Sequence, residues 1–342
     1  MAFDFMRRLP IPQEIREMMP LSADAKQRKL VFDEAVANVL RGKDTHKLLI
    51  IGPCSADRED AVLDYMLRLA AVSEQVADKL ILIPRVYTNK PRTKGTGYKG
   101  LLHNPNPQAG DDLLEGVKAI RRMHLRVIEE TGMYTADEML YPANYQFLKD
   151  LLAYSAVGAR SVENQEHRLV ASGIPGPVGM KNPTGGSLDV MLNSIYAAQQ
   201  SQTFIYRNWE VKTSGNDLAH AILRGYVGSD GRTHANYHYE HLERLADCYT
   251  PDMYANPAVI IDCNHDNSGK RPHEQVRICN EVLDSMERSR KVSGLFCGFM
   301  VESYLEDGNQ PVNGGVYGKS ITDACLGWDA SERLIFSMAE RL

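Results

Sequence analysis

From Lys47 onward, short aliphatic and β-branched runs alternate with longer stretches of helical period. The runs are KLLIIGPCS (47–55), KLILIPRVY (79–87), TADEML (135–140), AVGARS (156–161), PVGMKN (177–182), TFIYRN (203–208), AVIIDCN (258–264) and GLFCGFMVES (294–303). Several are apolar at nearly every position, the pattern of parallel strands covered on both faces. Between them, DAVLDYMLRLAAV (60–72) spaces its apolar residues as one face of a helix. PANYQFLKDLLAYS (142–155) opens on a proline suited to a first helical turn. SLDVMLNSIYAAQQ (187–200) opens on Ser187 as an N-cap, and SERLIFSMAERL (331–342) is a further helical stretch. The alternation predicts a (β/α)8 barrel over residues 47–342, an α/β fold built as one large domain. An open doubly wound sheet is the alternative, but it would gather its chemistry at one switch point. Here unusual polar residues stand at the C-terminal end of nearly every run, where barrel enzymes keep their active sites. Residues 1–46 lie outside the alternation as an N-terminal extension. Its stretch 23–44 reads as an amphipathic helix ending at Gly42, placed to cover the barrel, dock on another subunit or carry regulation.

Composition narrows the function classes. With 43% hydrophobic and 24% charged residues over 342 positions, disorder, collagen and coiled coil are excluded. Lys plus Arg total 39 against 44 Asp plus Glu, so the formal charge is 39 − 44 = −5 and the basic surplus of a nucleic-acid binder is missing. Affinity for anions must therefore come from a local cluster of cations. No run approaches the roughly 20 apolar residues needed to span a membrane, so no membrane partner is expected. The six cysteines, Cys54, Cys248, Cys263, Cys279, Cys297 and Cys325, show neither CxxC pairing nor a disulfide framework. A reducing, cytoplasmic location is expected.

The strand ends carry the candidate chemistry. Arg85 ends the second run, with Lys90, Arg92 and Thr93 following in KPRT. Arg160 ends the fourth run, Lys181 the fifth, and Arg224 follows in ILRG. Taken singly, each reads equally well as a solvated surface cation. A ring of them on one rim suits a ligand with phosphate and carboxylate groups, which the guanidinium fork matches in a bidentate way. Cys54 follows the first run, His265 the seventh, Glu302 ends the eighth, and Asp323 lies just beyond it. In a closed barrel the first strand neighbours the eighth, so these four could converge. A thiolate, an imidazole and two carboxylates suit Mn, Fe, Co or Zn. A lone cysteine after an apolar strand is more often a buried small residue, so spacing alone leaves both readings open. Glu138, in the third run, is placed as a general base or as an orienter of water. GTGYKG (95–100) matches a dinucleotide fingerprint by letter only, because it opens no apolar helix.

IGPCSA (51–56), PRVYTNKPRTKGTGYKG (84–100), GARSVENQEHR (158–168), PVGMKN (177–182), ILRG (222–225), MVES (300–303), GNQ (308–310) and YGKSITDACLGW (317–328) together resemble the type I 3-deoxy-D-arabino-heptulosonate 7-phosphate (DAHP) synthases, in the class with an N-terminal extension. The resemblance implies a (β/α)8 barrel that condenses phosphoenolpyruvate with erythrose 4-phosphate. By position it implies phosphoenolpyruvate-binding roles for Arg85, Lys90, Arg160, Lys181 and Arg224, and a clamp on the erythrose 4-phosphate phosphate from Arg92 and Thr93. It implies divalent-metal ligation by Cys54, His265, Glu302 and Asp323, and places Glu138 near the reacting carbons. Lys90, Glu138, Lys181 and His265 form the expected catalytic group, with Lys90 as proton donor to the aldehyde oxygen. An aromatic amino acid as feedback inhibitor and a homodimer or homotetramer are implied as well.

The chain also departs from the family pattern. Its histidine loop reads DCNHDNSGK where the best-known branch has roughly DFSHANSSK, and Pro175 replaces a small polar residue of the inhibitor region. Cys325, two residues from Asp323, is expected to form a disulfide with Cys54 under oxidation. Three competing readings remain. A related synthase would use arabinose 5-phosphate but carries KANR in place of KPRT. A Schiff-base aldolase would use Lys181. A non-catalytic barrel would only sense phosphorylated metabolites.

Overall fold

A computed structural model describes residues 3–92, 94–106 and 109–342. Eight parallel strands form one sheet: β1 Lys47–Gly52, β2 Leu80–Pro84, β3 Thr135–Glu138, β4 Leu152–Val157, β5 Val178–Lys181, β6 Ala219–Leu223, β7 Val259–Asp262 and β8 Phe296–Glu302. Their order is β2-β1-β8-β7-β6-β5-β4-β3. The two ends meet at a parallel bridge between Arg85 and Ala136, where the Val86 amide donates to the Ala136 carbonyl at 2.9 Å. The sheet is thus a closed (β/α)8 barrel, and the open-sheet alternative falls.

Alternation along the strands sorts residues into two cores. Leu49 and Ile51 of β1, Ile261 of β7 and Val301 of β8 face the surrounding helices. Leu48, Ile50, Ile83, Ala156, Ile222, Ile260 and Met300 fill the barrel interior. The same parity carries Arg85, Glu138, Lys181, Asp262 and Glu302 to the inward face at the C-terminal rim. Four of them, Arg85, Glu138, Lys181 and Glu302, are charged residues that the sequence sets within or at the end of its runs.

The extension closes the opposite mouth. Ser22 caps the helix Ala23–Leu40, accepting from the Ala25 amide at 3.2 Å. Val36, Ala37, Val39 and Leu40 of that helix pack into the interior core. The buried guanidinium of Arg121, in the helix Leu113–Thr131, ties the extension to the barrel. It donates to the Met19 carbonyl at 2.7 Å, to the Phe147 carbonyl at 2.9 Å, and to both Asp150 oxygens at 2.8 Å.

Two sequence expectations fail locally. TFIYRN is not the sixth strand. Thr203–Tyr206 pairs antiparallel with Trp209–Lys212 as a hairpin outside the barrel, turning through Arg207 and Asn208 at φ 50° and 66°. Its aromatic and branched residues outweigh the weaker signal of AHAIL, which forms the true sixth strand and carries a histidine inward. His220 is satisfied there: Nδ1 donates to the Leu218 carbonyl at 2.8 Å and Nε2 accepts from the Tyr154 hydroxyl at 2.7 Å. The second failure is at 142–161. The expected helix shrinks to the turns Pro142–Asn144 and Tyr145–Leu148, and β4 begins at Leu152 rather than at 156. An apolar run such as LLAYSAV does not by itself separate helix from strand.

Candidate functional site

Arg85, just past β2, and Glu302, at the end of β8, are both buried. Arg85 donates from Nη2 to Glu302 Oε1 at 2.7 Å and from Nη1 to the Pro53 carbonyl. Its guanidinium lies over the Tyr87 ring, 3.7 Å from the centroid, a cation–π contact that holds the plane of the fork. Asn264 Nδ2 donates to the other Glu302 oxygen at 2.5 Å. Burial opposes charge on Glu302, but Arg85, His265 and Lys90 outweigh it and hold the carboxyl below its usual range.

Around Glu302 the structure gathers the expected metal ligands. The ligand atoms of Cys54, Glu302 and Asp323 lie within 4.8 Å of one another. His265 Nε2 is 3.7 Å from Glu302 Oε1 but stands outside that mutual group. Its backbone is left-handed, φ 47°, in a loop that closes where the Lys270 amide donates to the His265 carbonyl at 2.9 Å. Burial and then Glu302 push the Cys54 thiol up, while Lys90 opposes them. Burial also opposes charge on Asp323, yet Lys90, Lys270 and His265 hold its carboxyl well below the usual range. One soft sulfur with two anionic oxygens, and an imidazole at the edge, fits a divalent transition ion.

Facing this group is a cleft whose walls include Arg85, Lys90, Arg92, Glu138, Arg160, Lys181, Arg224 and Lys270. Lys181 Nζ is 3.1 Å from Asp262 Oδ2, and the same oxygen is 2.8 Å from His265 Nδ1. Asp262 therefore joins a substrate-side cation to the histidine, and the cations around it hold its carboxyl well below the usual range against the opposing effect of burial. Arg224 pairs with Asp266. Arg92 Nε donates to the Tyr98 carbonyl at 2.7 Å. Arg160 is exposed and carries no ion pair among the described residues. Thr93, expected beside Arg92, lies outside the described residues.

Glu138 is buried, and its Oε1 finds no hydrogen-bond partner among the described residues. Cys325 Sγ accepts from the Cys54 amide at 3.3 Å, so the two cysteines are neighbours, both as thiols. Two charged residues of the site escaped the sequence reading, Lys270 in the cleft wall and the fully buried Asp262 beside Lys181 and His265. Asp262 was hidden as one more position of an apolar strand. Lys270 sat in the histidine loop with no periodic signal, yet its Nζ reaches Asp323 Oδ1 at 3.2 Å.

A family model described as the DAHP synthetase I family matches residues 19–335. The chain is 36% identical over 336 residues to the Phe-sensitive phospho-2-dehydro-3-deoxyheptonate aldolase of Escherichia coli K12, covering 96% of this chain and 93% of that protein. It is also 36% identical over 337 residues to the Trp-sensitive enzyme of Enterobacter agglomerans, again covering 96% and 93%. The solved phospho-2-dehydro-3-deoxyheptonate aldolase of Francisella tularensis SCHU S4 superposes with a TM-score of 0.91 at 28% identity, covering 99% of this chain and 98% of that one.

Proposed function

Because the chain belongs to the DAHP synthetase I family, we propose that its rim cleft carries out the condensation of phosphoenolpyruvate with D-erythrose 4-phosphate through the residues assembled above. The chain is an enzyme, a transferase whose reaction yields DAHP and phosphate, the first step of the shikimate pathway to aromatic amino acids. The observation that carries the site assignment is the juxtaposition of an anionic Cys54–Glu302–Asp323 group with a cation-walled cleft. Such a site takes a multiply charged anion on one side and a divalent cation on the other.

Arg85, Lys90, Arg160, Lys181 and Arg224 hold the phosphate and carboxylate of phosphoenolpyruvate, and Arg92 holds the phosphate of the aldose, with Thr93 assigned beside it by the family resemblance alone. A divalent ion held by Cys54, His265, Glu302 and Asp323 would supply Lewis-acid polarisation of the aldehyde. Its identity, Mn, Fe, Co or Zn, is open. Lys90 donates a proton to the aldehyde oxygen as C3 of the enol bonds to the aldehyde carbon. Glu138 receives a proton from the water that adds at C2, and the resulting hemiketal expels inorganic phosphate. Asp262 Oδ2 lies 2.8 Å behind His265 Nδ1, where its negative charge would steady the imidazole as carboxylates behind metal-binding histidines do.

Residues 1–46 act as an interface and regulatory extension on a catalytic barrel of residues 47–342. Exposed Phe5 at 96% and Ile205 at 81%, on the extension and the hairpin, support a homodimer or homotetramer. An aromatic amino acid serves as feedback inhibitor, an assignment that rests on the sensitivities named for the relatives. Among the described residues no helix is long and apolar enough to cross a membrane, and a cytoplasmic location accords with six unpaired cysteines.

The test is consumption of the enol absorbance by chelator-treated protein, with and without Mn²⁺. Consumption restored by metal with erythrose 4-phosphate but not arabinose 5-phosphate supports the reading. Turnover indifferent to chelation removes the ligand group from the mechanism. Irreversible borohydride labelling of Lys181 in the presence of substrate would favour the Schiff-base aldolase instead.

A further inference from the structure

Lys90 occupies a double position. Its Nζ donates to Cys54 Sγ at 2.6 Å and to Asp323 Oδ2 at 3.2 Å. The same side chain forms part of the wall of the anion cleft. Its backbone is fixed. The Lys90 amide donates to the Lys99 carbonyl at 3.0 Å, and Asn89 bridges to Gly100. Gly100, at φ 96°, approaches so closely that a β-carbon there would stand 2.6 Å from the Asn89 α-carbon. Only the side chain of Lys90 is free to rearrange.

The atoms Lys90 holds are two of the three in the candidate metal group. A divalent cation claiming Cys54 Sγ and Asp323 Oδ2 competes with the ammonium for the same lone pairs and repels it as a like charge. Lys270 engages only the other Asp323 oxygen and makes no contact with Cys54 among the described residues. When the Lys90 ammonium withdraws from the sulfur, the cleft is the open direction, and an anionic substrate group there would receive it.

We propose that Lys90 couples the two halves of the site, so that a divalent cation and phosphoenolpyruvate each tighten the binding of the other through transfer of its ammonium from Cys54 and Asp323 to the substrate anion. This rests on the proposed function of the cleft. Coupling of this kind is reciprocal, so the same factor must appear from either side of the cycle.

The experiment titrates Mn²⁺ into chelator-treated full-length protein, followed by electron paramagnetic resonance, with and without phosphoenolpyruvate. The reverse titration of phosphoenolpyruvate, with and without Mn²⁺, is followed by calorimetry. In the unaltered protein each ligand should tighten the other by roughly 10- to 100-fold, within the usual range of coupling. Lys90→Met and Lys90→Gln should both bind Mn²⁺ while the factor falls to about 1–3, since only the direct attraction between ion and anion remains. Lys270→Met should keep the factor of the unaltered protein. Independent binding of the two ligands to the unaltered protein, or an unchanged factor in either Lys90 variant, overturns the coupling and leaves the functional reading standing. Failure of the unaltered protein to bind Mn²⁺ or phosphoenolpyruvate at all overturns both.

Discussion

Gly158 lies so close to Glu138 that a β-carbon on it would stand 2.4 Å from Glu138 Oε1. Gly158 is not in the left-handed region, so an alanine there meets no backbone strain. The three atoms nearest such a β-carbon all belong to that carboxylate. Gly158→Ala should therefore leave the melting temperature nearly unchanged and lower kcat by about 10- to 100-fold, the scale of a misplaced catalytic group. Steady-state kinetics alongside thermal denaturation check this. An unaltered kcat would remove Glu138 from the chemistry.

Asp262 serves Lys181 and His265 with one oxygen. Asp262→Asn weakens both links, leaving a buried ammonium without its counter-charge and an imidazole without its orienting partner. Mn²⁺ affinity measured by titration calorimetry should fall by about 10- to 100-fold. Retention of full affinity would mean that His265 is oriented by its loop alone.

Asp57 supplies a pH dependence. Burial lifts its carboxyl from 3.8 to about 6. A raised carboxyl pKa means that the folded state holds the proton more tightly than the unfolded state. The stability it contributes is full below about pH 4 and is lost as pH rises through 6. Above pH 6 the buried carboxylate costs on the order of 2–3 kcal/mol relative to an unperturbed one. Asp57→Asn should stabilise the protein at pH 7.5 and not at pH 4, read as the difference in denaturant midpoint between the two pH values. Equal effects at both would show that the carboxyl is not protonated within the fold.

Arg121→Met removes a buried guanidinium that serves Met19, Phe147 and Asp150 together. The loss should be about 3 kcal/mol. It should fall first on the extension, so that trypsin cuts at Arg16 or Lys26 before the barrel. Simultaneous loss of both parts in limited proteolysis would show that the extension and barrel unfold as one.

The sequence made the barrel legible because seven of its eight inner strands announce themselves as apolar runs, some with shifted boundaries. It hid β6 because Ala219–Leu223 is short and carries a histidine whose polarity is cancelled only by Tyr154 and a carbonyl brought in by the fold. A surface hairpin with more aromatic character took its place. The rim was legible for a related reason, since charged residues inside apolar runs stand out. Asp262 did not stand out, although it is as buried as Glu302, because its significance depends on Lys181, 81 positions away along the chain. The Lys90–Cys54 contact was equally beyond reach, since it joins loops from different strands.

The bridge between Arg85 and Ala136 is where the ring of strands is fastened, and the chain makes its long excursion through residues 85–134 before returning to that point. The cleft straddles this clasp, with Arg85 on one side and Glu138 on the other. An opened barrel has no cleft, and a filled cleft holds the barrel shut. Bound phosphoenolpyruvate should therefore slow hydrogen exchange at the Val86 amide more than at the amides of β1 and β8, and the substrate becomes, for as long as it is bound, part of what keeps the fold closed.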